Sequence, residues 1–137
     1  MMILTTMSVP LMRAQLRRNR ERELRVALVE MRRAIDKFKD AADRNQIAPT
    51  AITPESMGYP LKLEDLVEGV KGVGPNADVK VKFLRRIPKD PMTNSFDWGH
   101  RSMQDDPKAS GGGSQNVFDV FTKSSEKSLD GTPYSEW

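Results

Sequence analysis

Leu24, Leu28, Met31, Ile35, Phe38 and Ala42 follow one another at alternating steps of four and three. That spacing places apolar side chains along one face of an α-helix. The surrounding stretch, from Leu11 to about Arg44, contains no glycine or proline and consists mostly of good helix formers. The pattern predicts one helix over 11–44, roughly 45 Å long at about 1.5 Å per residue. Its two halves differ. Between Arg13 and Arg25 lie six arginines, two glutamates and two leucines, too polar a mixture to be buried. From Leu24 onward the apolar stripe is continuous, so the second half is expected to pack on a globular head and the first half to protrude.

After the helix the period changes. Asn45 to Pro60 carries Pro49, Pro54, Pro60 and Gly58 and reads as a surface loop. Leu61 to Val70 has Leu63, Leu66, Val67 and Val70 at helical spacing, with Gly72, Gly74 and Pro75 following, which predicts a short second helix. Asp78 to Ile87 opens with alternating Val79, Val81 and Phe83, the signature of a half-buried strand. Pro88, Pro91 and Asn94 predict a turn, Phe96 to His100 a second strand around Trp98, and Val117 to Thr122 a third. Gly111 to Gly113 is expected at a hairpin tip between them. The tail from Lys123 is irregular, with Trp137 folding back onto the head. A long helix followed by a run of short strands is the α+β pattern: a long N-terminal helix on a small antiparallel sheet. The chain divides into an apolar stub (1–10), the amphipathic helix (11–44) and the head (45–137).

Composition narrows the chemistry. The 137 residues suit about one domain, and the absence of cysteine excludes disulfides and thiolate metal sites. The net charge of +3 is concentrated in the arginine run. That run lacks interleaved aromatics and is interrupted by Glu21 and Glu23, which argues against a nucleic-acid partner. Flanking a membrane segment or pairing with neighbouring subunits accounts for it better. There is no GxGxxG and no phosphate loop, since no lysine follows Gly111 to Gly113 at the required place. The single histidine, His100, has no triad motif around it and reads as a surface residue, so no enzyme activity is expected. Ser124, Ser125, Glu126, Ser128, Asp130 and Thr132 crowd oxygen atoms into nine residues, with Gly131 permitting a tight turn. Calcium takes about 6–8 oxygens, but this is not a DxDxDG loop, and a polar turn capped by its own side chains is the simpler reading.

Taken together, several segments resemble the major pseudopilin of the type II secretion system, the G-type member of the type IV pilin-like superfamily. They are the apolar stub with Pro10, ELRVALVEMRRAIDKFKDA, GYPLKLEDLVEGV, KFLRRIPKDPMTNSFDWG and DVFTKSSEKSLDGTPYSEW. The RRIPKDPMT block and the tail are the specific parts. The resemblance implies a pilin-like fold and a structural role in a periplasmic helical filament that drives protein export. The subunit would be a homo-oligomer working with minor pseudopilins and an inner-membrane platform, anchored by a single N-terminal span with its head in the periplasm. A type IV pilin or minor pseudopilin is the alternative within the superfamily, and a basic nucleic-acid-binding module the alternative outside it. The resemblance also implies calcium in the C-terminal loop, held by Glu126, Asp130 and main-chain oxygens near Lys123 and Ser125. Glu126 stands where the family usually has aspartate, and the loop is shorter than in well-known members. MMILTTMSVP matches the last third of the family's apolar segment, without its leader, cleavage glycine, methylated phenylalanine or glutamate. Two readings of the start stay open, a frayed helix end or the stub of a longer apolar segment in which Met1 is an internal methionine; on the second, this chain, lacking the full span, is expected to be soluble.

Overall fold

The computed structural model describes residues 2–112 and 115–137, with side chains from Leu11 onward. Helix α1 (Met2–Asp43) runs for 42 residues, so it begins before the predicted start and passes through Pro10 at the loss of one main-chain hydrogen bond. It stops where Asn45 takes a left-handed conformation, φ 56°. There Gln46 N donates to Ala41 O at 2.9 Å and Asn45 N to Ala42 O at 3.1 Å. These are the paired bonds of a Schellman motif, with asparagine in the place usually taken by glycine.

The head carries two separate two-stranded antiparallel sheets where the strand pattern predicts one. In the first, β1 (Val70–Lys71) pairs with β2 (Lys80–Val81). In the second, β3 (Gly99–Arg101) pairs with β4 (Asp119–Phe121), with His100 opposite Val120. The predicted second helix over 61–70 shrinks to α2 (Asp65–Glu68). Gly69, at φ 89°, turns the chain out of the helix, and Val70 becomes the first residue of a strand. The predicted strand over 78–87 is likewise cut short. Phe83 N and Leu84 N both donate to Leu66 O, at 2.9 and 3.0 Å, which pulls the chain out of sheet pairing and beneath α2. Between β3 and β4 the expected glycine tip is partly described: Gly111 and Gly112 lie in the connection, while Gly113 falls outside the described residues with Ser114.

The core forms between the second half of α1 and both sheets. Leu24, Leu28, Met31, Ile35, Phe38 and Ala42 are all buried, joined by Leu63, Leu66, Trp98, Val117, Val120 and Tyr134. Phe38 meets Phe83 at 5.3 Å between ring centroids. Gly99 is required in β3 because the ring of Phe121 lies over it; a Cβ there would stand 2.3 Å from a ring carbon. The RRIPKDPMT segment forms the predicted turn around a buried carboxylate. Asp90 accepts from Met92 N at 2.9 Å and from Thr122 Oγ1 at 2.5 Å, tying the turn to the end of β4. Trp98 Nε1 donates to Pro88 O at 2.8 Å. Among the described residues no buried side-chain nitrogen or oxygen lacks a partner.

The helix is thus expected to tolerate truncation very unevenly along its length. Phe38→Ala should cost about 3–5 kcal/mol of stability, whereas Leu11→Ala, at an exposed site, should stay within about 0.5 kcal/mol. Urea denaturation followed by far-ultraviolet circular dichroism measures both, and equal losses would contradict this packing.

Candidate functional site

Two parts of the surface carry the residues that the sequence singled out: the first half of α1 and the C-terminal loop that reaches it. On α1 the apolar positions ahead of the core stripe are open to solvent, with Leu11 at 72%, Met12 at 63% and Leu16 at 59% exposure. The helix here is held to the head by its polar side chains. Tyr134 is buried, and its hydroxyl donates to Glu21 Oε1 at 2.7 Å. Arg20 Nη1 lies 3.7 Å from Glu126 Oε2, and the Arg25 guanidinium sits 4.4 Å over the Trp137 ring. Val26 and Val29 are also exposed, beside a cleft of about 630 Å³ floored by Phe83 and Leu84 and rimmed by Arg25, Arg33, Lys37 and Arg85.

The C-terminal loop closes on its own hydrogen bonds. Lys127 and Pro133 form an antiparallel bridge, Ser128 N donates to Thr132 O at 2.9 Å, and Gly131 N to Ser128 O at 3.0 Å. Asp130 stands at the exposed tip and accepts from Ser128 Oγ and, at 2.9 Å, from Thr132 N. The Ser128 hydroxyl first, and then the Thr132 amide, hold its carboxyl below the usual range. Of the other candidate metal ligands, Glu126 turns its carboxylate to Arg20 and lends its main-chain oxygen to Tyr134 N at 3.2 Å. Lys123 pairs through Nζ with Asp97 at 2.9 Å, and Ser125 is exposed. Among the described residues no three acidic, histidine or cysteine side chains are grouped so that they could hold a metal ion. The donor set therefore offers two carboxylates and main-chain oxygens, and a calcium ion using Glu126 would have to draw it away from Arg20.

A second charged cluster lay outside the sequence reading. Asp119, in β4, accepts from Arg32 Nε at 2.6 Å, while Arg32 Nη2 donates to Trp137 O at 2.8 Å and Val120 O at 3.3 Å. From the other side the buried Arg101 approaches Asp119 at 3.8 Å and donates to Ala109 O and Ser135 O, at 2.8 and 2.9 Å. Its guanidinium lies 4.0 Å over the Phe121 ring. Burial lowers the Arg101 pKa, and Asp119 opposes that shift. This cluster binds helix, sheet and tail together. Its one legible signal was Asp119 at a half-buried strand position; its partners are 87 residues or more away for Arg32. His100, read as a surface residue, is half-buried in β3, and burial is the main cause of its lowered pKa.

No protein-family model, curated protein or solved structure matches the chain. Among the described residues no helix is long and apolar enough to cross a membrane.

The Tyr134–Glu21 contact makes a pH prediction. Burial first, and then the bond to Glu21, push the Tyr134 pKa up to about 12. A phenol whose folded pKa is raised stabilises the fold fully below its unfolded value, about 10. That contribution is lost as pH rises through the folded value. The chain has two tyrosines, so in Tyr59→Phe the phenolate absorbance should report Tyr134 alone. Its midpoint should lie near 12 while the far-ultraviolet spectrum is still native. A midpoint near 10 in the folded protein would refute the contact.

Proposed function

We propose that this chain is a structural subunit of a type II secretion pseudopilus: a filament protein whose exposed half-helix packs against other subunits. One observation carries the reading. The apolar stripe of α1 is buried from Leu24 to Ala42, yet Leu11, Met12 and Leu16 remain exposed on the same continuous helix. A small α+β head cannot cover a 42-residue helix, and exposed apolar residues on a rigid rod are the usual mark of a surface that finds a partner. The RRIPKDPMT turn built on buried Asp90, and the DVF strand leading into the tail, are the segments on which the family resemblance rests; here each has a defined structural task. The same reading places the N-terminal end of α1 at the bacterial inner membrane, the head in the periplasm, and minor pseudopilins and the secretion platform among the partners.

The absence of cysteine gives a clean test. Leu16→Cys or Val26→Cys alone, produced in cells with a type II secretion apparatus, should stay monomeric on oxidation, because a helical filament sets unlike positions of neighbouring subunits against each other. The double variant should give a ladder of higher multimers. Monomer alone from every variant would sink the filament reading.

Calcium belongs to the same proposal, with Asp130 as its principal carboxylate and Glu126 recruited from Arg20. The expected result is a rise in melting temperature on adding calcium, reversed by chelator and abolished by Asp130→Ala. An unchanged melting curve for the parent chain would remove the metal from the reading and leave the filament untouched.

A further inference from the structure

We propose that the end of the molecule formed by Arg13 to Arg22 and the tip of the C-terminal loop is a docking surface for an anionic phospholipid bilayer. The arginines would bind lipid phosphates and Leu129 would enter the interfacial layer. The inference rests on the placement of the head beside a membrane proposed above, and it names the lipid class and the side chains involved.

Leu129 is the first observation. It is 86% exposed, more than Leu11, Met12 or any other exposed large apolar side chain given for the described residues. A leucine at the tip of a loop closed by its own hydrogen bonds contributes nothing to the core. Its position along the molecule is telling. Leu129 lines a cleft of about 650 Å³ together with Arg13, Leu16, Arg17 and Arg20 of α1. The loop tip therefore reaches the level of the arginine run, at the end of the head from which α1 projects.

The distribution of the arginines is the second. Arg18 lines the cleft beside Leu129 as well and, with Arg22, Leu11 and Asn19, a neighbouring one of about 480 Å³, so the cations continue around the helix from one cleft to the next. A collar around a rod suits a charged plane that the rod meets end-on, whereas tracking a nucleic-acid backbone calls for a stripe along one face. Of the run from Arg13 to Arg22, Arg20 has an ion-pair partner, Glu126, and no ion pair involves Arg13, Arg17, Arg18 or Arg22 among the described residues. The nearby carboxylates are engaged: Glu21 with Tyr134, Glu126 with Arg20, and Asp130 with Ser128 and Thr132. Glu23 is exposed on the helix and offsets one of these charges.

The third is continuity. The stretch before the collar, MILTTMSVPLM, carries no charged side chain, its polar ones being Thr5, Thr6 and Ser8, and belongs to the same helix. Apolar residues next to basic ones, with an exposed leucine on a neighbouring loop, match the order of layers in a bilayer interface. Each basic side chain near an anionic surface is worth about 1 kcal/mol, or about fivefold in binding.

Vesicle flotation of the full chain tests the proposal, using phosphatidylglycerol–phosphatidylcholine vesicles against phosphatidylcholine alone. The chain should float with the anionic vesicles only, and release in about 1 M salt, where the screening length is roughly 3 Å. The triple variant Arg13→Gln, Arg17→Gln, Arg18→Gln should bind on the order of 100-fold more weakly. Leu129→Ser should weaken binding several-fold, with circular dichroism unchanged in both. Equal flotation with uncharged vesicles, no flotation with either kind, or undiminished binding by the triple variant would each overturn the proposal. Binding to duplex DNA as tight as to anionic vesicles would overturn the lipid assignment, and an unchanged Leu129→Ser would overturn the role of the loop tip. Failure here with intact cysteine cross-linking would leave the filament reading standing, and the reverse outcome would strike that reading alone.

Discussion

Burial of one face of α1 is the interaction on which the rest of the molecule depends. The head has two sheets of two strands each, with β1 and β2 only two residues long. A two-stranded ribbon of that size is marginal in water by itself. What makes it stable here is a surface to pack on, and the stripe from Leu24 to Ala42 supplies it. Leu63 and Leu66 from the α2 region, Trp98 before β3 and Val120 in β4 are all buried in the same core. The helix is accordingly the scaffold of the head as well as the part that leaves it.

Charged groups then fix how the pieces sit on that surface. Hydrophobic contact is non-directional, and it would allow the tail to settle in several ways. Asp119 removes that freedom: Arg32 from the helix and Arg101 from β3 converge on it, and each also donates to a main-chain oxygen of the C-terminal segment. Removing one member of such a network strands the others, which is costly when one of them, Arg101, is buried. The aromatic pair Tyr134 and Trp137, edge to face at 4.9 Å, completes the tail on the helix, with Glu21 below Tyr134 and Arg25 over Trp137. The contacts of the tail on α1 therefore mark where the packed half of the helix gives way to the open half.

The same boundary divides α1 by exposure. C-terminal to it, the apolar face of α1 is buried in the head. N-terminal to it, the same helix presents Leu11, Met12, Leu16 and a collar of arginines. The C-terminal loop lies at the junction, with Glu126 on Arg20 and Leu129 over the cleft beside Arg13. The loop thus touches the helix where its packed half gives way to its exposed half.

The long helix, its division into two halves, the turn at Pro88 to Asn94 and the return of Trp137 were legible in the sequence, because each rests on local periodicity or on backbone restrictions of proline and asparagine. The lengths of the smaller elements were not. Leu61 to Val70 carries a helical pattern, yet Val70 joins a strand because β2 is available to pair with it. Phe83 and Leu84 leave their strand because Leu66 O accepts both of their amides. For the candidate site, the chain names Glu126 and Asp130 as carboxylates in a polar loop, and their occupation was decided at different ranges: Asp130 by neighbours two residues away, Glu126 by an arginine on the far side of the sequence. Arg32 meets Asp119 across 87 positions, and Tyr134 meets Glu21 across 113. Local order along the chain determined which face of the helix is apolar, since that follows from a fixed rotation per residue. Local spacing also sets the short-range pairs, Lys39 with Asp43, Arg44 with Asp40 and Asp130 with Ser128 and Thr132; the long-range partners and the burial of Arg101 were decided by tertiary structure, because they depend on distance through space and on the water that packing removes.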